Sequence, residues 1–279
     1  MGVHSGERVR LSIRPAPAGH GIVFVRTDVT DRDNRVAVSG EAVVESRLNT
    51  VIGNAAGVTV ATIEHLMAAL AALGVDNAVV EMDGREVPIL DGSALPFVQL
   101  LDRAGFRAQG TPRRYIEVLE PISVQMGMAS ATLTPCDRYE MFFEIDFATP
   151  VIGRQSVDFV VDEATFRSEI AMARTFGFAH EVEQLRAMGL ARGGSLENAV
   201  VIDGDRMLNP EGLRIEREFV RHKALDAIGD LYVLGAPLLA RYEGRRGGHA
   251  VNNLLVRELL ARPEAWRVIE LAPQLAAVG

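Results

Sequence analysis

Hydrophobic and polar positions alternate with period two over Arg8–Ile13 (RVRLSI) and Ile22–Arg26, and strand or hairpin character continues through Val36–Ile52. The period then lengthens. In Thr59–Leu73 (TVATIEHLMAALAAL) the apolar positions Leu66, Ala69, Leu70 and Leu73 recur at helical spacing, with Thr62 as the expected N-cap and Glu64 and His65 in the first turn. A strand at Ala78–Met82, a turn at Val87–Gly92 and a helix over Ser93–Ala104, capped by Ser93, complete the first half. Gln109–Arg114 carries Gly, Pro and charge without apolar periodicity and reads as a linker.

Beyond it the order recurs. Strands fit Tyr115–Leu119, Ala129–Pro135, Tyr139–Phe147 and Gln155–Val161, followed by a helix over 163–173 and the short TFGF run. Then come a helix at Glu181–Met188, a strand at Ala199–Ile202, a helix around His222, a strand at Leu238–Tyr242 and a helix at Ala250–Ala261. Strands then helices, twice over, predict an α+β fold of two similar layered domains, 1–112 and 113–279. The duplication lies in element order; no residue-level repeat accompanies it.

One helix carries an unusual polar stripe. In Phe219–Asp230 (FVRHKALDAIGD), His222 and Asp226 are four residues apart and share a face, and Asp230 extends the stripe by a turn. Phe219, Ala224, Leu225 and Ile228 surround it with apolar surface. Burying such a stripe is costly unless it binds something, and an imidazole with a carboxylate at this spacing can grip one metal ion. His65 is a candidate third ligand, with Glu64 beside it as a base. Two nitrogens and one carboxylate leave a fourth zinc position open, the mark of a catalytic site. A single His-x-x-x-Asp pair, however, is more often a helix salt bridge, and spacing alone does not bring His65 to His222.

Composition narrows the field. Apolar residues make up 48% and charged residues 24% of 279, enough for a well-cored globular chain. Mean hydropathy is high at +0.12, yet the longest apolar runs, Leu66–Val75 and Leu231–Ala240, fall well short of the roughly 20 residues a membrane helix needs. A net charge of −8 argues against a nucleic-acid surface, and the basic pairs Arg113–Arg114 and Arg245–Arg246 are expected in solvated turns. Cys136 is the only cysteine, which excludes an intrachain disulfide and a thiolate zinc site. The opening MGVHSGERVR has no apolar leader core, so a reducing, cytoplasmic setting is expected. Nothing demands more than a monomer.

Other candidates are weaker singly. GGHAVNN places His249 just before a helix, where Asp230 could orient its ring, although a packed turn histidine explains it as well. In RTFGF, Thr175 offers a hydroxyl to a developing oxyanion, and Phe176 and Phe178 could flank a sugar or an apolar groove; each alone reads as ordinary packing. Lys223 either meets a phosphate or is a solvated helix lysine.

Together, TIEHLMAALAALGVDNAVVEMDGREVPILDGSALPFV, RTFGF, FVRHKALDAIGDLYVLG and GGHAVNN, in this order, closely resemble the UDP-3-O-acyl-N-acetylglucosamine deacetylases, zinc enzymes of the committed step of lipid A synthesis in Gram-negative bacteria. The resemblance covers essentially the whole chain. It implies two β-α-α-β domains with facing helix layers and the metal between them. It also implies zinc ligands at His65, His222 and Asp226, a general base at Glu64 and a catalytic histidine at His249 oriented by Asp230. Thr175 would hold the oxyanion, Lys223 the nucleotide sugar, and Phe176 would lie beside the sugar. Iron(II) would accept the same ligands. The family's second insert, a βαβ unit expected at roughly 177–215, forms an acyl-chain tunnel. Its lining candidates are Phe178, Val182, Ala191, Ser195 and Val201, with Leu48 from the first insert completing one wall.

Two departures are visible. Relatives carry a strand ahead of the GVHSG motif at His4, and some are bulkier at Ala191. The expected partner is the UDP-acyl-aminosugar substrate, not nucleic acid. The rivals are a zinc amidase for another acylated amino sugar and a non-catalytic protein with a structural zinc, which would need neither base nor open position.

Overall fold

The computed structural model describes residues 1–271, so residues 272–279 of the expected second domain lie outside it. Alternation begins the first sheet with β1 (Leu11–Pro15), β2 (Ile22–Arg26) and β3 (Arg35–Ala37). β1 is shifted from the expected 8–13 because its partner strand offers only Ala78–Met82, pairing Leu11 with Met82 through Pro15 with Ala78. The expected hairpin over 36–52 is broken by a 3-10 turn at Gly40–Ala42. What remains is a small antiparallel sheet of β4 (Val43–Glu45), β5 (Val51–Gly53) and β6 (Thr59–Val60).

α1 (Glu64–Ala72) follows, and β7 (Ala78–Met82) returns through the first sheet, antiparallel to β1 and parallel to β2. α1 is buried on all sides over Glu64–Leu70, the condition of a helix held between layers. Thr62 is not its cap. It sits in the left-handed backbone region (φ 58°), two residues ahead of the helix, and its hydroxyl is spent between Asn49 and Glu86. α2 (Leu95–Ala104) begins two residues later than expected, with Ser93 Oγ accepting from the Leu95 amide.

In the second half the expected linker gives up Arg113 and Arg114 to β8 (Arg113–Val118), where Arg113 grips Asp76 at 2.9 Å. β9 (Ile122–Met126), β10 (Ala129–Pro135), β11 (Tyr139–Asp146) and β12 (Arg154–Val160) follow. The expected 163–173 helix is a short turn, α3 (Glu163–Thr165), running into a π turn at Phe166–Ile170. Next come β13 (Phe176–Phe178), α4 (Ala179–Ala187), β14 (Val200–Asp203) and β15 (Arg206–Met207), with β13 and β14 parallel. The chain continues through α5 (Glu218–Leu231), β16 (Leu238–Arg245), α6 (His249–Leu260) and β17 (Trp266–Leu271). β16 therefore carries Arg245, which the sequence placed in a turn; it is ion-paired with Glu144 at 3.5 Å. β12, β11, β16, β10 and β9 form one sheet, with β8 joining β16 and β17 joining β8.

The two large sheets are built from separate halves of the chain: no described strand pair joins a residue before Arg113 to one after it. Each half runs helix–strand–helix (α1–β7–α2 and α5–β16–α6), and the central strand pairs parallel on one side and antiparallel on the other. The halves meet through α1 and α5 within a continuous apolar core that includes Leu66, Leu70, Leu225 and Ile228. The approach is so close that a Cβ on Gly229 would collide with the Glu64 carbonyl. That contact brings the two polar helix faces together.

Candidate metal centre and active site

On α5, four-residue spacing sets His222 Nε2 3.3 Å from Asp226 Oδ1. From α1, His65 Nε2 reaches the same oxygen at 3.4 Å. The imidazoles stand edge to face, their centroids 5.0 Å apart, and one ligand atom from each of the three residues lies within 4.8 Å of the others. All three residues are buried.

Two details fit this trio to a cation. His222 Nδ1 donates to the Ala173 carbonyl at 3.0 Å, which leaves the Nε2 lone pair facing Asp226. Burial also pushes the His222 pKa down to about 3, so the ring is neutral. Asp226 Oδ1, meanwhile, is buried with no hydrogen-bond partner among the described residues. Burial alone would raise the Asp226 pKa, but its neighbours His222, Lys223 and His249 hold it well below the usual carboxylate range. A buried, ionised, unpartnered oxygen between two imidazole nitrogens is what a divalent cation satisfies.

Three further titratable side chains, Glu64, His249 and Asp230, surround this trio. Glu64, the first residue of α1, accepts the Thr50 amide at Oε2 (3.0 Å), and its Oε1 lies 3.9 Å from His249 Nε2. Burial raises the Glu64 pKa, offset in part by His249 and His65. His249 opens α6, and its Nδ1 lies 2.9 Å from Asp230 Oδ2. Burial opposes protonation of His249, yet the charges of Asp230, Asp226 and Glu64 outweigh it and raise the pKa to about 9. Asp230 is itself held by the Thr50 hydroxyl (2.6 Å) and Asn252 Nδ2 (2.8 Å). Asn252 Oδ1 in turn accepts from the Tyr242 hydroxyl at 2.7 Å.

The family of UDP-3-O-acyl N-acetylglycosamine deacetylases matches the chain over residues 1–261. A UDP-3-O-acyl-N-acetylglucosamine deacetylase of Phenylobacterium zucineum (strain HLK1) is 66% identical over 276 residues, 99% of this chain and 94% of that protein. The chain belongs to this family. Proteins of the same name from Shewanella sp. (strain W3-18-1) and Shewanella oneidensis are 50% and 48% identical, covering 96% and 99% of this chain and 88% and 91% of their own lengths.

The remaining residues matched to the deacetylase family fall in two zones. Near the trio, Lys223 reaches forward along α5 to Asp226 Oδ2 at 3.1 Å and lies over the Phe176 ring at 5.7 Å. Phe176 packs edge-on to His222, 6.4 Å between centroids. Thr175 is half-buried two residues beyond the Ala173 carbonyl that orients His222, its amide bonded to Gly92 and its carbonyl to Val200. Farther out, Phe178 packs on Phe147, Val182 lies over Gly177, and Val201 pairs with Gly177 on the neighbouring strand. Ala191 is buried in the left-handed backbone region, Ser195 is exposed on the same loop, and Leu48 is exposed. That loop meets the N-terminal segment, where Arg192 and Gly193 donate to the His4 and Val3 carbonyls.

Four participants escaped the sequence reading of the site. The Ala173 carbonyl and Thr50 have no local signature, because a backbone oxygen and a lone threonine look alike everywhere. Asn252 did leave one: a polar residue three positions after His249 on a helix that is otherwise largely apolar. His4, matched only to a motif, has a buried Nδ1 with no partner among the described residues; burial lowers its pKa, and the charge of His249 adds to that.

Proposed function

We propose that this chain hydrolyses the N-acetyl group of UDP-3-O-((R)-3-hydroxyacyl)-N-acetylglucosamine, releasing acetate and the free amine for lipid A synthesis. The observation that carries the reading is the unpartnered Asp226 Oδ1 between two imidazoles, with a buried carboxylate and a protonated histidine facing each other beside it. A structural metal site would need neither of those flanking groups.

His65, His222 and Asp226 would hold the metal, which we assign as zinc, with iron(II) compatible with the same donors. Held there, the ion supplies Lewis acidity, lowering the pKa of water and polarising the acetyl carbonyl. Glu64 takes the proton of the attacking water, a role favoured by its raised pKa. The Thr175 hydroxyl donates to the carbonyl oxygen as charge develops there. His249, held by Asp230, presents a proton at Nε2 to the leaving amine. Lys223 and Phe176 take the nucleotide sugar. Phe178, Val182, Ala191, Ser195 and Val201 on and around β13–α4–β14, with Leu48, line the path of the acyl chain.

We read the division of sheets as two domains, 1–112 and 113–279, with the site at their α1–α5 contact and the acyl insert at 177–215. We propose a cytoplasmic monomer; no helix among the described residues is long and apolar enough to cross a membrane. The test is acetate release from the UDP substrate by metal-stripped enzyme given stepwise zinc. Activity that saturates near one zinc per chain supports the reading. Zinc binding without acetate release refutes it.

A further inference from the structure

Glu64 on α1 and Asp230 on α5 come from opposite halves of the chain, and one residue holds both. Thr50 is buried immediately before β5. Its amide donates to Glu64 Oε2 at 3.0 Å and its hydroxyl donates to Asp230 Oδ1 at 2.6 Å. Its carbonyl accepts from the amide of Ile63, the residue that precedes α1, at 3.4 Å. Every hydrogen-bonding group of Thr50 is thus committed to the site or to the start of the helix that carries its base.

We propose that Thr50 is a positioning residue that locks the base and the His249–Asp230 pair into one register across the α1–α5 contact; this rests on the deacetylase reading above. Asp230 Oδ2 is taken by His249 and Asn252. Oδ1 has Thr50 at 2.6 Å and His249 at the longer 3.1 Å. The Thr50 bond falls in the range of short hydroxyl–carboxylate hydrogen bonds. Without it the carboxylate keeps His249 and Asn252 but loses the short bond that fixes Oδ1, so its plane and the imidazole it orients gain freedom together. Threonine suits the task because its branched Cβ restricts χ1 and aims the hydroxyl. Glu64 is held through the backbone, so a side-chain substitution releases Asp230 and leaves the base anchored.

Thr50→Val keeps the shape and removes the donor. Its kcat for acetate release falls about 10- to 100-fold, as for other groups that orient a site residue, while KM for the nucleotide sugar and binding of one metal per chain are unchanged. Thr50→Ser restores most of the lost kcat. In an Asp230→Ala background, Thr50→Val adds no further loss, because the two act through one interaction. If the valine variant does not fold, Thr50→Ala deletes the same hydroxyl and retains the amide. A Thr50→Val kcat within about twofold of wild type, a serine variant as impaired as the valine one, or losses that add in the double variant each overturn the assignment. Wild-type enzyme that releases no acetate from this substrate would instead bring down the deacetylase reading, and the proposal with it.

Discussion

At Asp226 burial and charge pull in opposite directions, and charge wins: the carboxylate stays ionised although its Oδ1 has no donor. Glu64 is not one of the three residues whose ligand atoms cluster, so on the proposed reading its role can be tested apart from metal binding. Glu64→Gln keeps the side chain's size and its acceptor toward the Thr50 amide but loses the basic oxygen. Its kcat falls about 10²- to 10⁴-fold, the ordinary worth of a general base, with one metal per chain still bound. Metal stoichiometry and single-turnover acetate release check this together, and full activity would remove Glu64 from the mechanism. His222, Asp226 and Asp230 were legible because helical periodicity fixes their common face. Their meeting with His65 was not, since only tertiary packing brings α1 to α5. For Lys223 the sequence left a solvated and a phosphate-facing role open; its long stem carries the ammonium to Asp226, three residues on.

Between elements, the α1–α5 contact sets the geometry. Gly229 is buried where a Cβ would strike the Glu64 carbonyl, so Gly229→Ala must push the two helices apart. Such overpacking costs about 1–3 kcal/mol, and here it also widens the gap between His65 and Asp226. Thermal unfolding of the metal-free protein should show the first effect and weakened metal binding the second; unchanged metal affinity would mean the site does not depend on that approach. A second anchor lies at the other end of the ligand set. Arg174, fully buried, grips Glu218, the first residue of α5, and so ties the Ala173–Thr175 segment to the helix whose His222 it orients. Removing Glu218 leaves a buried guanidinium with fewer partners, and the loss should be about 3–5 kcal/mol by urea unfolding. Element order was mostly readable from the sequence; β9 and β17 were not. β9 is five residues between Pro121 and Gly127, which read as turn punctuation, and the half-exposed pattern of β17 gives no strict alternation. Thr62 had the right residue type for a cap but not the backbone conformation.

For the whole molecule, the halves are joined by more than the two helices. Arg167 grips Asp102 through two bonds of 2.7 and 2.8 Å, Asp76 accepts from both Arg113 and the Tyr232 hydroxyl, and Arg214 reaches Asp91. With the apolar core continuous across the same boundary, thermal unfolding should be a single transition, and two separated transitions would show the halves to be independent.

The N-terminal segment is tied in by Glu86, whose oxygens accept the His4 amide at 2.9 Å, the Ser5 amide at 2.8 Å and the Thr62 hydroxyl at 3.1 Å. Burial raises the Glu86 pKa, but hydrogen bonds from Ser5 and the His4 amide outweigh it and bring the folded value below the ordinary 4.5. A carboxylate depressed in the folded state contributes stability that is full above its unfolded pKa and lost as pH falls through the folded one. Glu86→Gln should therefore be less stable than wild type at neutral pH, since its amide nitrogen would face backbone donors. The gap should close in acid, where the wild-type carboxyl is protonated too. Urea unfolding at pH 7 and along a descending acid series measures how the gap changes; a difference that never shrinks as the pH falls through the folded titration would show that the ionised carboxylate is not what holds the segment down.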